Sequence, residues 1–310
     1  MQARKIAIMK MHEGQVDVDE DLVARLLAAQ YPKLDEMPIM RVASTGTVNA
    51  LFRLGDGLCA RLPLVAHWAE DIASELAWLP RLSPRLTLQI PEPFAEGEPT
   101  GFYPFPWAIY RWIEGEPYAD GLIDDEAAAA VTLARFVQEM RAIERVEDAP
   151  RGGRDPLREL DDDTRTAIDA ASGVIDRDTV MAAWERSLEA PTWNGDPTWI
   201  HSDLLRPNLL VDRGRLCAVI DFGGVGVGDP ATDVIPAWAV FGPAGREAFR
   251  AALDVDDETW ARARGIALHQ AAMIIPYYRE TNPSFVTLAQ RTIEQILADL
   301  RSRPRSTFER

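Results

Sequence analysis

Between residues 200 and 224 the chain reads IHSDLLRPNLLVDRGRLCAVIDFGG. His201, Asp203, Asn208 and Asp221 stand at the ends of two strongly apolar runs, NLLV and LCAVIDF. A carboxylate buried beside such runs without a partner is costly, so this polar set points to a site. DRGR separates the runs, and Gly214 can supply the positive φ of a turn, which predicts a hairpin. A hairpin brings its start and its finish side by side. Asn208 before the first arm and Asp221 after the second therefore reach one small volume, with Asp203 next to it. Hard oxygen donors with room for water suit Mg²⁺. A separate carboxylate alongside can orient a hydroxyl and accept its proton. Downstream, GGVGVGDPATD supplies glycines where backbone passes close to a ligand, followed by Asp229 and Asp233.

A second charged pair is predicted earlier in the chain. LCARL, residues 58–62, alternates as a strand, which puts Cys59 and Arg61 on one face and Leu58, Ala60 and Leu62 on the other. Arg61 among such neighbours wants an anion. In the helical stretch AHWAEDIASELAWL, Ile72, Leu76 and Leu79 form an inward stripe, and Glu75 falls three residues after Ile72 on the same face. A glutamate facing a core should have a cation, and Arg61 is the natural candidate.

The elements that must position these residues are legible in outline. Residues 17–32 read as a first helix, with acidic residues in its first turn. PIMRVA, NALFRL and LCARLP read as strands, the last two joined by the hairpin signal Gly55-Asp56-Gly57. AIYRWIEGEP is a further strand. Asp124 to Glu147 is alanine-rich helix, DAPRGGRDP a loop, and the chain after Pro230 helical almost to its end, with Asn282 and Pro283 opening the last helix. Strands come early and helices late. That order predicts an α+β chain with a sheet-rich N-terminal lobe, 1–114, and a larger helical C-terminal lobe, 115–310.

Composition narrows the function. At 47% hydrophobic and 26% charged the chain is ordinary globular material, ending in a frayed basic tail, RSRPRSTFER. A net charge of −16 disfavours nucleic acid and anionic membrane as partners and leaves room for a cationic small molecule. Two cysteines, Cys59 and Cys217, sit in apolar runs and form no disulfide or zinc pattern, which fits a reducing, cytoplasmic setting. MQARKIAIMK lacks the features of a signal peptide, and no run approaches the length of a membrane span. A monomer or a homodimer is expected.

HSDLLRPN resembles the catalytic loop of the protein-kinase-like phosphotransferases, in which His-x-Asp is followed by Asn five residues after the Asp. IDFGG resembles the segment that carries their second magnesium ligand. Taken together, HSDLLRPNLLV and AVIDFGGVGVGDPATD are similar to the aminoglycoside phosphotransferase family, more so than to eukaryotic protein kinases. Those kinases have Arg where Ser202 stands, and they carry an activation segment ending in Ala-Pro-Glu that is missing here. The resemblance runs from about Val42 to about Glu294. It implies a protein-kinase-like two-lobed fold with Asp203 as the catalytic base and Asn208 and Asp221 as magnesium ligands. Arg61 would reach the α- and β-phosphates, positioned by Glu75. His201 and Asp233 would brace the loop. ASTGTVNALFRL would turn over the phosphates through Ser44, Thr45, Gly46 and Thr47. Cys59 would lie against the base, and IYRWIEG, with Tyr110 and Trp112, would be the hinge whose backbone reads the base edge. The usual strand residue is lysine, and arginine stands here instead. Arginine keeps its charge and binds phosphate as a fork.

The function so implied is Mg²⁺-dependent transfer of the γ-phosphoryl group of ATP or GTP to a hydroxyl of a small molecule. The family includes enzymes acting on aminoglycosides, on macrolides, and on metabolites such as choline, homoserine and methylthioribose. The acidic balance favours an amine-bearing, aminoglycoside- or macrolide-like acceptor, with Tyr277, Tyr278 and Glu280 as contact candidates. A metabolite kinase of the same fold is the alternative. A non-catalytic nucleotide-binding regulator is a second, against which the intact Asp203, Asn208 and Asp221 argue. A metal-dependent hydrolase built on His201, Asp203, Asp221 and Asp233 is a third. It needs a histidine-rich or two-metal ligand set and leaves Arg61 and Glu75 unexplained.

Overall fold

The computed structural model describes residues 14–42 and 48–302. Ser44, Thr45, Gly46, Thr47, the first thirteen residues and residues 303–310 of the basic tail lie outside the described residues, while the tail's first two, Arg301 and Ser302, are helical. Helix α1 (Glu20–Gln30) opens on Asp19, whose carboxylate accepts the Leu22 N–H at 2.9 Å. Strands β1 (Ile39–Arg41), β2 (Asn49–Leu54) and β3 (Leu58–Pro63) follow. Gly55, at φ +56, turns β2 into β3 with Leu54 opposite Leu58. Helix α2 (Ala69–Leu82) then crosses to β4 (Pro93–Gly97) and β5 (Trp107–Arg111), giving an antiparallel sheet in the order β1-β2-β3-β5-β4.

Period-two alternation splits this sheet between two cores. Phe52, Leu54, Ala60, Leu62 and Ile109 pack with Leu22, Val23, Leu26 and Leu27 of α1. Cys59, Ala108 and Tyr110 face the opposite side, with Ile72 and Leu79 of α2, and join the core of the C-terminal half. On α2 the buried stripe is Ile72, Glu75, Trp78, Leu79 and Leu82, while Leu76 is only half-buried. Helical spacing puts Leu76 on the edge of a face centred on Glu75, Leu79 and Leu82, with Trp78 on its other flank.

The short β6 (Glu116–Pro117) leads to α3 (Glu126–Ala142), which is shorter than its alanine-rich pattern suggested. Asp125 caps it by accepting the Ala128 N–H at 3.0 Å, and the backbone is extended again at Ile143. Helices α4 (Asp161–Ala170) and α5 (Arg177–Ser187) precede β7 (Thr198–Ile200). The expected hairpin is β8 (Leu209–Asp212) and β9 (Arg215–Val219), turned through Arg213 and Gly214 at φ +47 and +75. After it come β10 (Gly226–Gly228), α6 (Pro236–Ala239), α7 (Pro243–Leu253), α8 (Asp257–Tyr278) and α9 (Pro283–Ser302).

Strand β10 was not expected. GVG pairs antiparallel with β7, and a Cβ on Gly226 would stand 2.5 Å from the Gly152 nitrogen. These glycines therefore admit the neighbouring 150–153 chain, not a ligand. Asn282 accepts the Phe285 N–H at 3.2 Å at the start of α9, as its sequence position suggested. Among the described residues, no helix is long and apolar enough to cross a membrane.

Candidate active site

The HSDLLRPN stretch begins where β7 ends. Ser202 takes φ +77, a conformation a non-glycine residue holds only when its surroundings impose it. The buried Asp233 imposes it, accepting the N–H of His201 at 2.7 Å and of Ser202 at 2.9 Å. The His201 ring is also buried. Its Nδ1 lies 3.2 Å from the Asp203 N–H, which only an unprotonated nitrogen can accept. The proton therefore sits on Nε2, donated to the Ile220 carbonyl at 3.1 Å. Burial lowers the ring's pKa to about 4. His201 is thus a neutral clamp between the loop and the end of the hairpin, with no nitrogen left for a metal. That removes it from the hydrolase ligand set.

Two donors fix the Asp203 carboxylate. Gln270, on α8, donates Nε2 to Oδ1 at 2.7 Å, and Asn208 donates Nδ2 to Oδ2 at 2.9 Å. Burial, reinforced by the charge of Asp221, raises the Asp203 pKa to about 6. Such a group is ionised at neutral pH yet basic enough to take a proton from a bound hydroxyl. Asn208 Nδ2 also donates to the Asp203 carbonyl at 2.9 Å. With its nitrogen so engaged, Oδ1 is the atom Asn208 has left to offer a cation.

The hairpin finishes on Asp221, itself at φ +69. Its Oδ1 accepts from Arg61 Nη2 at 2.5 Å. Arg61 also donates Nη1 to Glu75 Oε1 at 2.5 Å, and Asn49, with its amide oxygen toward the guanidinium, accepts from Nε and Nη2 at 3.0 and 2.8 Å. Burial opposes the arginine's charge, but Glu75 and Asp221 outweigh it and hold the pKa above its ordinary value. Glu75 is 0% exposed and fully partnered, since Oε2 accepts the Tyr110 hydroxyl at 2.7 Å and Oε1 the Phe222 N–H at 2.8 Å.

These groups border a cavity of about 220 Å³ between the sheet and the hairpin. Val48, Leu51 and Cys59 line its upper wall, Leu210 and Ile220 its lower wall, and Trp112, Ile113 and Gly115 its back. Arg61, Tyr110, Asn208 and Asp221 all reach it. The Tyr110 hydroxyl serves Glu75 instead of a base edge, and the Arg53 guanidinium lies 4.7 Å from the centre of the Trp112 ring. The N–H groups of Arg111 and Trp112 are engaged by the carbonyls of Glu92 and Gly57, both at 2.9 Å. Tyr277 and Tyr278 lie in the last turn of α8 and Glu280 just beyond it, and none of the three lines this cavity.

Sequence reasoning missed two residues. Asp71 lies one turn before Glu75, and its Cβ and carboxyl approach Gly223. Burial, with Asp221 and Glu75 adding, pushes its pKa up to about 6 despite Arg61. Its place in the first turn of α2 reads from sequence as helix-dipole compensation, which hides any second use. Gln270 carried no signal, because α8 is buried on nearly every face.

Two outcomes follow from this geometry. Arg61→Ala and Glu75→Ala should each raise the nucleotide KM about tenfold or more, and the double variant should cost far less than the sum, because the side chains touch. Additive losses in steady-state kinetics would mean no working contact. Gln270→Leu removes one charge-assisted hydrogen bond and should lower kcat by about 10- to 100-fold with little change in the nucleotide KM. An unchanged kcat would show that Asn208 alone orients Asp203.

Comparison with known proteins bears on the fold and the family. The chain is similar to the GDP complex of a mutant aminoglycoside 2'-phosphotransferase-IIIa, with 19% identity, 91% of this chain and 99% of that one covered, and a TM-score of 0.73. It is similar to an APH(2'') enzyme with GDP and kanamycin, at 21% identity, 89% and 98% coverage and a TM-score of 0.69. The macrolide 2'-phosphotransferase type I gives 16%, 90% and 98%, and 0.61. At these identities the likeness establishes the fold, a kinase-like pairing of an N-terminal antiparallel sheet with a helical C-terminal part. No curated protein matches the chain significantly in sequence. Residues 40–266 match the model of the phosphotransferase enzyme family, a stretch that runs from the sheet through the Asp203 loop and the Asp221 hairpin. On that match, over most of its length, this chain belongs to the phosphotransferase enzyme family.

Proposed function

We infer that the protein transfers the γ-phosphoryl group of ATP or GTP to a hydroxyl of a small molecule, with Asp203 as the base. The observation that carries this is the Asp203 carboxylate itself: half-buried, with its pKa raised to about 6, and held by Gln270 and Asn208 beside the cavity that Arg61 and Asp221 border. The solved neighbours described as GDP, ADP and ATP complexes support a nucleotide as co-substrate.

The nucleotide would occupy the 220 Å³ cavity. Its base would lie between Cys59 and Leu51 above and Leu210 and Ile220 below. Because Arg111 and Trp112 have committed their N–H groups, the stretch from Ile113 to Gly115 is left to read the base edge. The lobes would divide there, at Gly115, whose φ of +144 suits glycine. Arg61, oriented by Glu75, would bind phosphate oxygens in a fork. Asn208 Oδ1 and Asp221 Oδ2 offer the hard oxygens that Mg²⁺ takes, and the ion when bound would neutralise charge on the phosphates. Asp203 orients the acceptor hydroxyl and accepts its proton. A bond forms from that oxygen to the γ-phosphorus as the bond to the β,γ-bridging oxygen breaks, and the nucleoside diphosphate leaves. Positioning and fixed charge supply the acceleration, with no covalent intermediate on the protein.

For the acceptor, the net charge of −16 and the aminoglycoside and macrolide enzymes among the neighbours support an amine-bearing antibiotic-like compound. A metabolite kinase is the second reading, and the arginine side chains beside the catalytic loop favour it. The test is labelled phosphate transfer from ATP and from GTP, with and without Mg²⁺, across aminoglycosides, macrolides and hydroxylated metabolites. Absence of both metal-dependent transfer and metal-dependent nucleotide binding would overturn the assignment.

A further inference from the structure

A second cavity, of about 400 Å³, lies on the C-terminal side of the catalytic loop. Its walls come from residues 149–158, from residues 190–197, from β10 and Asp229, and from Arg262 and Ile266 of α8. It is tied to the catalytic loop directly at one point and to the loop's neighbours at two more. The Gly153 N–H donates to Ser202 Oγ at 2.9 Å. The Gly152 N–H donates to the Val227 carbonyl at 3.0 Å. Ile266 lies one helical turn before Gln270, the residue that holds Asp203.

The charges around this cavity run against those of the chain. Four arginines line it, Arg151, Arg154, Arg158 and Arg262, with two acids, Asp155 and Asp229. Both acids are taken: Asp155 by Arg151 at 2.5 Å, and Asp229 by the largely buried Arg262 at 2.8 and 3.3 Å. Arg154 and Arg158 have no hydrogen-bond or ion-pair partner among the described residues. The charge of Arg154 reaches both Asp203 and His269. In a protein of net charge −16, two guanidinium groups with no hydrogen-bonded carboxylate, on one cavity beside the Ser202 loop, concentrate anions there, not cations. The rest of the lining, including Pro156, Leu157, Trp193 and Ile266, offers an apolar wall.

We propose that this cavity is the acceptor subsite and that the acceptor carries an oxyanion, a carboxylate or a phosphate, seated on Arg154 and Arg158 with its ring or apolar body against Trp193 and Leu157. The proposal rests on the phosphotransferase reading. It replaces the amine-bearing acceptor with an anionic one, because the surplus acid of the chain is not found on this lining.

The experiment separates the two. With Mg-ADP saturating the nucleotide cavity, binding of inorganic phosphate, gluconate, glucose and kanamycin is measured by titration calorimetry at constant ionic strength. The proteins compared are the wild type and the Arg154→Gln/Arg158→Gln variant, whose exposed, unpartnered side chains can be lost without disturbing the core. Phosphate or gluconate should bind, glucose should not, and anion affinity should fall at least tenfold in the variant with ADP affinity unchanged. The stronger of the two anions identifies the group. The proposal is overturned if neither anion binds, if binding persists in the variant, or if kanamycin alone binds. It is also overturned if the variant weakens ADP instead of the anions, since the arginines would then serve the nucleotide. Failure of Mg-ADP to bind wild type would instead sink the phosphotransferase reading, and the anion titration would then be read on the free protein.

Discussion

Asp221→Ala should abolish phosphate transfer and remove the tightening of nucleotide binding by Mg²⁺. The residue sits at the finish of the β8–β9 hairpin with one oxygen on Arg61 and the other facing the cavity that Asn208 also lines. Losing it deprives a metal of a charged hard-oxygen donor and frees Arg61 from one of its two carboxylates. Alanine is also less tolerant than aspartate of φ +69. Asp221→Asn, which tolerates that conformation and keeps one oxygen, is therefore the control and should recover folding but little transfer. The measurement is a nucleotide titration with and without Mg²⁺. If the metal tightens binding in Asp221→Ala as it does in wild type, Asp221 is not a ligand.

Asp203→Asn should lower turnover by about 10² or more while nucleotide affinity stays close to wild type, the range expected when a general base is lost. The substitution is nearly isosteric, but it is not neutral for its neighbours. Gln270 and Asn208 donate to different oxygens of Asp203, and an asparagine has only one side-chain oxygen, with an NH2 in place of the other. One donor is left facing a donor, at a cost of about 1–3 kcal/mol in stability. A thermal melt taken alongside the kinetics separates that cost from the chemical one. Near-normal turnover in a folded variant would remove Asp203 as the base.

How far the site could be read in advance depended on how local its geometry is. Asn208 and Asp221 were legible because a hairpin with a glycine turn has only one way to bring its ends together. Arg61 and Glu75 were legible because two periodicities, two for the strand and 3.6 for the helix, each placed a charge on an apolar face and left it wanting the other. The separation of 67 positions between Asp203 and Gln270 follows no such rule. Gln270 is one polar residue on a helix buried nearly all round, so no stripe marks the face that meets the loop. The glycines of GVGVGD were legible as places of close approach, but not for what approaches. Whether a ligand or the 150–153 chain fills that space is decided by tertiary packing. Net charge misleads for a similar reason, since −16 is a property of the whole surface while the lining of one cavity is drawn from eighteen residues on four segments.

The three bonds of Glu75 also carry a mechanical consequence. Its partners are Arg61 and Tyr110 from the sheet and the Phe222 N–H from the segment after the hairpin, so one buried carboxylate rivets the sheet to the hairpin segment behind the 220 Å³ cavity. Prying the halves apart at this point would strand a charged group with no water to receive it, a cost of several kcal/mol. Breathing of the cleft is thereby confined to its mouth. Whatever occupies the cleft must enter and leave past the rim, with its back acting as a fixed fulcrum, and the Phe222 amide should rank among the slowest in the chain to exchange its hydrogen with solvent.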